Sequence, residues 1–127
     1  MNPTIRRHKE IPLHQFGKGI LLKILADEET GAKNIGMGWM TFKPGAQSSM
    51  HYRDAEEYIY IAKGEATIVF ESGEKYVLSA GDTMLIPSGS MHQHQNNSDS
   101  DMEHIYIFAP QGPEKPFRDL PIVNDTN

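Results

Sequence analysis

Turn residues divide this chain into short segments, and their spacing constrains the fold more than any other feature of the sequence. Runs of β-branched and aromatic residues are interrupted by Gly, Pro, Asp or Asn about every eight to twelve residues. Segments of this length suit strands joined by tight turns, in which these residue types are favoured. We therefore predict an all-β fold, a sandwich or barrel in a single domain, and the sequence offers no convincing helix.

Nine strands are predicted from this pattern. They cover residues 20–25, 35–42, 47–53, 57–62, 66–71, 76–78, 83–86, 91–95 and 103–109. Residues 1–33 are expected to form an N-terminal arm with one strand, and residues 34–110 the barrel. Residues 111–127, rich in proline and charge, are expected to form an extended or docked C-terminal tail. With 127 residues, the chain is long enough for one compact domain.

Charge and composition limit the partners and the chemistry. The net charge is -5, with 17 acidic and 12 basic residues and no basic block, so we expect neither nucleic acid nor a membrane as a partner. The chain has no cysteine, so any metal must be held by nitrogen and oxygen ligands. The apolar stretch Ile20-Leu21-Leu22 is interrupted at once by Lys23 and is too short for a signal peptide or a membrane span. We expect a cytoplasmic protein.

Two runs of glycine, histidine, glutamate, proline and asparagine occur at fixed spacings within the predicted barrel. The fixed positions of the first run are Gly45, His51, Glu57 and Gly64. Those of the second run are Gly81, Pro87, Gly89, His92 and Asn96. Five fixed residues, each of about 5% usage, match by chance with a probability on the order of 10⁻⁵ in a chain of this length. The second run is therefore a specific signal, and the first precedes it in the same chain.

These runs resemble the two signature motifs of the cupin family, G-x5-H-x-H-x3-E-x6-G and G-x5-P-x-G-x2-H-x3-N. Every fixed position of the second motif is filled, and Arg53 replaces the second histidine of the first. The resemblance covers residues 34–110 and implies a double-stranded β-helix, the jelly-roll barrel of the RmlC-like cupins. Activity has to be inferred from the site, because one fold supports many reactions.

The resemblance implies that His51, Glu57 and His92 meet inside the barrel and bind one divalent metal ion. Two imidazoles and a carboxylate suit Fe(II) with open coordination positions, and the same ligands suit Mn, Ni or Zn. Side chains two residues apart in a strand share a face, so His94 points the same way as His92. His94 is therefore a candidate for the fourth ligand that the family pattern places at position 53.

Arg53 leaves several interpretations open, because a guanidinium has no lone pair to donate to a metal. A three-ligand metal site could persist while Arg53 grips a carboxylate or phosphate of the substrate. Alternatively, His94 supplies the missing nitrogen, or Arg53 pairs with Glu57 and the metal is lost. A plain ion pair with Asp54 or Glu56 at the rim is a further alternative.

Other side chains on the predicted strands are weaker candidates. His104 and Tyr106 share a face of the last strand and could line the pocket as acid and base, although Ile105 and Ile107 claim the opposite face. Arg53, His104 and Tyr106 are thus the candidate catalytic residues. Tyr58 and Tyr60 are expected to face outward or into a dimer contact, because their parity is opposite to that of Glu57.

The function predicted from these residues is that of a metal-dependent enzyme acting on a small polar, anionic substrate. A dioxygenase is the leading class. An isomerase or lyase acting on a sugar-acid-like substrate comes next, including a metal-free version with a histidine base and a tyrosine acid. A competing possibility is a non-catalytic barrel that binds a small ligand. Exposed strand edges and the N-terminal arm give a physical reason to expect a homodimer.

Overall fold

The structure is a computed structural model and describes residues 2–123. Its ten strands are β1 (Leu13–Gly17), β2 (Ile20–Ala26), β3 (Gly36–Phe42), β4 (Glu56–Lys63), β5 (Glu65–Phe70), β6 (Lys75–Ser79), β7 (Thr83–Ile86), β8 (His92–Gln95), β9 (Met102–Ala109) and β10 (Ile122–Val123). Three short 3-10 helices, which the sequence did not predict, cover His8–Glu10, Glu28–Thr30 and Lys115–Asp119. Within residues 2–123, no helix has the length and apolar character needed to cross a membrane.

The strands form two antiparallel sheets with a jelly-roll architecture, as predicted. The larger sheet has the order β10-β1-β2-β3-β9-β4-β7, and the smaller has the order β6-β5-β8. Hydrogen bonds among the described residues define these two separate sheets and do not close them into one ring. The hydrophobic core contains residues of both sheets, among them Ile24, Ile59 and Ile68.

Strict alternation of burial directs the functional side chains inward. In β9 the buried residues include His104, Tyr106 and Phe108, whereas their neighbours in the strand are only partly buried. In β4, Glu57 is buried, and Tyr58 on the opposite face is 41% exposed. Period-two alternation thus puts Glu57, His104 and Tyr106 on the inner face of the large sheet and Tyr58 and Tyr60 on its outer face.

The predicted strand at residues 47–53 is wrong, because this segment is irregular. Only two isolated bridges, Gln47 to Gln95 and His51 to His92, connect it to β8. Between them, the Ser48 N–H still donates to the His94 carbonyl at 2.9 Å, but the His94 N–H donates at 3.0 Å to the Ser48 hydroxyl instead of to a backbone carbonyl. The segment still runs along β8, which keeps His51 beside the histidines of that strand.

Both ends of the described chain are more ordered than the sequence suggested. The expected N-terminal arm contains two strands instead of one, and β1 and β2 continue the large sheet beyond β3. The tail is docked: its 3-10 helix buries Phe117, and β10 pairs with β1. The pairing of β1 with β10 links the N-terminal and C-terminal segments, because the backbone groups of each strand find hydrogen-bond partners in the other. Residue 1 and residues 124–127, assigned above to the arm and the tail, lie outside the described residues.

Candidate metal centre

Four side chains converge between the sheets and could hold a metal ion. His51 comes from the bridged segment, Glu57 from β4, and His92 and His94 from β8. One ligand atom from each lies within 4.8 Å of the others. Glu57, His92 and His94 are buried, and His51 is partly exposed. The structure thus brings together all four residues that were the candidate ligands.

Backbone carbonyls fix the orientation of two of these imidazoles. The Nδ1 atom of His51 lies 2.8 Å from the Ser49 carbonyl oxygen, and Nδ1 of His92 lies 2.8 Å from that of Ser90. A carbonyl only accepts, so Nδ1 donates in each ring, and the neutral form of such a ring carries its lone pair on Nε2. Hydrogen bonds of this kind behind a ligating histidine are usual in metal sites.

The carboxylate of Glu57 faces two of the imidazoles at separations that suit a shared ion. Oε1 lies 3.3 Å from Nε2 of His92, and Oε2 lies 3.4 Å from Nε2 of His94. Neither Oε1 nor Nε2 of His92 makes a hydrogen bond within residues 2–123, although both are buried. Two atoms bound to one ion at about 2.1 Å and at right angles lie about 3 Å apart. The donor set, N₃O without sulfur, therefore fits a divalent metal such as Fe, Mn, Ni or Zn.

The electrostatics favour the protonation states that ligands require. Burial lowers the pKa of His51 to about 4, and the nearby Arg53 cation adds to this effect. Burial raises the pKa of Glu57, but the facing His92 and His94 outweigh it and hold that pKa well below its usual value. At neutral pH, His51 is therefore neutral and Glu57 is ionised, which are their metal-binding forms.

Arg53 does not join this cluster and instead packs between two aromatic rings. Its guanidinium carbon lies 5.7 Å from the ring centre of Phe108 and 5.6 Å from that of Phe117. None of the ion pairs within residues 2–123 involves Arg53, so the structure shows neither the pairing with Glu57 nor a rim pair. Its Nε atom is buried without a partner in the described chain. Burial lowers the pKa of Arg53, but the group remains a cation.

His104 and Tyr106 point inward from β9 but occupy different places. His104 stacks on His94, with ring centres 5.4 Å apart, and neither of its nitrogens has a hydrogen-bond partner among the described residues. Burial lowers its pKa to about 3, so it is a neutral ring behind His94. Tyr106 lines the cavity beside Arg53 and Glu57, and its buried hydroxyl also has no partner in residues 2–123. Burial raises the pKa of Tyr106, so it is present as the neutral phenol.

A small, partly enclosed cavity lies between the metal cluster and the tail. It has a volume of ≈ 20 Å³ and is lined by Phe16, Met40, Phe42, Ser48, His51, Arg53, Glu57, His94, Tyr106, Phe108 and Phe117. Arg53 also lines an outer groove of ≈ 500 Å³, together with Tyr52, Pro113 and Pro116. Arg53 thus stands between the cavity and the solvent.

Several cavity residues were missed from the sequence. Phe16 lies in the unpredicted strand β1, and Phe117 lies in the tail, far from both motifs. One signal was available: Phe117 is the only aromatic residue after Phe108, in a segment otherwise rich in proline and charge. A docked tail is expected to bury such a residue. No spacing pattern marks Phe16 as a cavity residue.

Comparison with known proteins supports the assignment of the fold. One curated relative, polyketide synthase CurC from Streptomyces cyaneus, is 28% identical over 115 residues, which cover 90% of this chain and 74% of that protein. Among solved structures, an RmlC-like cupin from Shewanella frigidimarina is similar with a TM-score of 0.77 and 19% identity, covering 91% of this chain and 96% of that chain.

A second solved structure, the polyketide cyclase RemF from Streptomyces resistomycificus, is similar with a TM-score of 0.76 and 17% identity. The similarity covers 100% of this chain and 87% of that one. The family described as the cupin domain matches residues 38–108, which is more than half of the chain and includes both motifs. This chain therefore belongs to the cupin family.

Proposed function

We propose that this protein is a metal-dependent enzyme, with the ion held by His51, Glu57, His92 and His94. The observation that carries the proposal is the convergence of four ligand atoms within 4.8 Å, three of them from buried residues. His92 Nε2 and Glu57 Oε1 make no hydrogen bond within residues 2–123. Buried polar atoms without partners are costly, and a bound cation removes that cost. Because Arg53 cannot bind a metal, the proposal adopts the interpretation in which His94 supplies the fourth ligand.

A divalent ion held by these residues supplies a Lewis acid for substrate oxygens and, if it is iron, the redox chemistry of an oxygenase. Three of the protein's own side chains complete the proposed site. Arg53 orients an anionic group of the substrate through its unpaired guanidinium. Tyr106 donates a hydrogen bond or a proton from its neutral hydroxyl, and His104 supports His94 from behind.

A dioxygenase acting on a small anionic substrate is the leading class. The proposed N₃O ligand set leaves open coordination positions on a six-coordinate ion, as an oxygenase requires. In such a reaction both atoms of O₂ enter the product, and an electron-rich enol or catechol supplies the electrons. No other reductant is then needed.

A second candidate is a non-oxidative reaction, either an isomerase or lyase step or a ring closure. It is favoured by the relatives named above, a polyketide synthase and a polyketide cyclase, although their similarity carries no residue roles. In this case the ion and Arg53 stabilise an enolate, and Tyr106 exchanges a proton with it. A non-catalytic ligand-binding jelly roll is the remaining alternative.

Metal content tests the site directly. Protein purified without chelator is expected to contain about one divalent ion per chain by elemental analysis. His92→Ala and Glu57→Ala are each expected to lose it, with affinity at least about 100-fold lower, since losing a group behind a ligand already costs about 10–100-fold. His14→Ala is the matched control, because His14 is a buried histidine that contacts the Leu120 carbonyl instead. Metal-free wild-type protein, or variants that keep the ion, would refute the site.

Activity assays then separate the reaction classes. Oxygen uptake by the Fe(II)-loaded protein is followed over a panel of catechols, diketones and sugar acids, and uptake that Glu57→Ala abolishes supports the dioxygenase. The same panel under anaerobic conditions, analysed by mass spectrometry, detects an isomerase, lyase or cyclase. Binding without turnover in both assays would make the protein a ligand-binding cupin.

A homodimer and a cytoplasmic location are also proposed. The outer face of β4, β7 and β9 exposes Tyr58, Tyr60 and Leu85, which border a groove of ≈ 410 Å³ with mainly apolar walls. A second copy covering this face would remove that apolar surface from water. Light scattering is expected to give twice the mass of one chain, and Leu85→Glu is expected to halve it.

A further inference from the structure

Phe117 occupies a box made of three other aromatic rings. Its ring centre lies 5.3 Å from that of Phe16 and 6.0 Å from that of Tyr106, both in edge-to-face geometry, and 6.3 Å from that of Phe108. The side chain is buried, with 5% exposure. These separations are in the range in which aromatic pairs attract one another. We call the rings of Phe16, Tyr106 and Phe108 the aromatic box, and Phe117 is its present occupant.

Arg53 closes one side of the box as a partly buried cation that forms no ion pair within residues 2–123, although the charge of Glu57 acts on it from a distance. Its guanidinium contacts the faces of Phe108 and Phe117, and its buried Nε atom donates to nothing within residues 2–123. Partial removal of a charge from water is unfavourable unless a partner compensates it. Aromatic faces offset part of this cost. A ligand with an aromatic ring and an adjacent anionic group would pair its charge with Arg53 and pack its ring against the aromatic box.

The partly enclosed cavity is too small for such a ligand. Its ≈ 20 Å³ holds about one water molecule, whereas a cavity of about 150 Å³ is known to accept benzene. Arg53 and the tail residues Pro113 and Pro116 separate the cavity from the outer groove. A ring-bearing substrate therefore does not fit beside the metal cluster while Phe117 fills the box, and needs the tail to move. Moving the tail also withdraws Phe117, because both belong to residues 111–123.

The hydrogen bonds and ion pairs that hold the tail all lie outside the two motifs. Gln111 donates to the carbonyls of Ala32 and Ile35 at 3.0 and 3.1 Å, and the Gln15 N–H donates to the Pro121 carbonyl at 2.8 Å. Arg118 forms a two-pronged ion pair with Asp27, at 2.6 and 2.7 Å. His14 Nδ1 lies 3.0 Å from the Leu120 carbonyl, and β10 adds a two-residue ladder to β1. None of these residues belongs to the metal cluster. If the tail moves away, Phe117 therefore leaves the aromatic box while the candidate metal ligands keep their positions.

We propose that the aromatic box is a subsite for an aromatic anion, and that Phe117 occupies the place of the substrate's ring while the site is closed. The substrate's ring lies among Phe16, Tyr106 and Phe108, and its carboxylate or phenolate pairs with Arg53. This inference rests on the proposed function, because it names the substrate class of the same site. In this proposal Phe117 competes with the substrate for the aromatic box and does not contact the bound substrate.

Binding of benzoate tests the subsite, using the full chain in the presence of a chelator so that no metal contributes. Wild type is expected to bind benzoate weakly, because the ring must displace Phe117. Phe117→Ala is expected to bind it at least about tenfold more tightly by calorimetry. Cyclohexanecarboxylate and benzyl alcohol, which lack the aromatic ring and the charge respectively, are expected to bind more weakly than benzoate. Weaker benzoate binding by Phe117→Ala than by wild type would show that Phe117 contacts the bound ligand, and would overturn the proposal.

Two further comparisons keep the test decisive. Adding Arg53→Gln to Phe117→Ala is expected to abolish the preference for benzoate over benzyl alcohol, and a retained preference would remove Arg53 from the subsite. If Phe117→Ala does not fold, Arg118→Gln loosens the tail instead and is expected to tighten benzoate binding about fivefold. Its control is Lys115→Gln, which removes a charge from the same tail at an exposed pair with Glu28. Equal binding by these two variants contradicts the proposal, whether or not the protein binds metal.

Discussion

The two halves of the cavity are built in different ways. The metal half comes from short segments in which two of the histidines are held by carbonyls two residues earlier in the chain. The aromatic half is assembled from distant parts, with Phe16 from β1, Phe108 from β9 and Phe117 from the tail. The first half is fixed by local hydrogen bonds, and the second depends on tertiary packing. We infer that the metal half carries out the reaction and that the aromatic half selects the substrate.

The largest effect is expected where the metal half departs from the family pattern. His94→Ala is expected to lower metal affinity at least about 100-fold if His94 supplies the fourth ligand. Adding Arg53→His restores the histidine of the family motif and is expected to recover most of that loss. Metal affinity of the single and double variants can be measured by competition with a chromophoric chelator.

Arg53→His alone is the control for that rescue. With His94 present, it is expected to change metal affinity less than tenfold, because the four ligands are already supplied. Unchanged affinity in His94→Ala would instead indicate a three-ligand site, and would separate the two metal-binding interpretations of Arg53.

A smaller effect is expected from filling the space beneath the aromatic half. The ring of Tyr106 lies directly over Gly38 in β3, where an added Cβ would overlap it. Gly38→Ala is expected to lower the free energy of unfolding by about 1–3 kcal/mol, because Tyr106 must leave its position. Urea denaturation measures this, and Gly17→Ala is the matched control, since the nearest atom to its new Cβ would be Ile20 Cδ1 at 3.6 Å. Equal losses in the two variants would contradict the role of Gly38.

The smallest effect is expected at the ion pair that holds the tail. The hydrogen bonds from Arg118 lower the pKa of Asp27 below its usual 3.8. A lowered carboxyl pKa contributes stability that is present above pH 3.8 and is lost as the pH falls through the folded-state value. Arg118→Gln is expected to lower the free energy of unfolding by about 1 kcal/mol at pH 7, a figure reduced because Arg118 is partly exposed. The difference from wild type is expected to shrink below pH 3.8, and a constant difference would refute the assignment.

In the metal half, the directions of individual side chains could be predicted from local strand spacing, whereas the convergence of His51, Glu57 and His92 was implied by the resemblance to the cupin motifs. Strand periodicity placed His92 and His94 on one face and Glu57 opposite Tyr58, and the structure confirms these orientations. Eight of the nine predicted strands are present with ends that agree within one residue, because Gly and Pro mark most of their turns.

The rest of the cavity was not predicted, for reasons specific to each part. The segment at residues 47–53 has a strand-like pattern, but the Ser48 side chain replaces a ladder bond and leaves the backbone irregular. Strand β1 pairs with β2 through a tight turn at Gly17-Lys18-Gly19, a local signal that was overlooked. Its pairing with β10, across more than a hundred residues, leaves no local signal. The position of Arg53 depends on Phe117, whose docking is a tertiary event.

The contact between an imidazole and the carbonyl two residues earlier has a consequence for how this site can change over time. His51 and His92 each carry their own orienting group within a stretch of three residues, Ser49–His51 and Ser90–His92. The two stretches are also joined to each other, because His51 and His92 exchange both backbone hydrogen bonds at 2.9 and 2.8 Å. None of these bonds involves the C-terminal tail, so we expect that the tail can change in sequence or length while the two histidines keep their orientation.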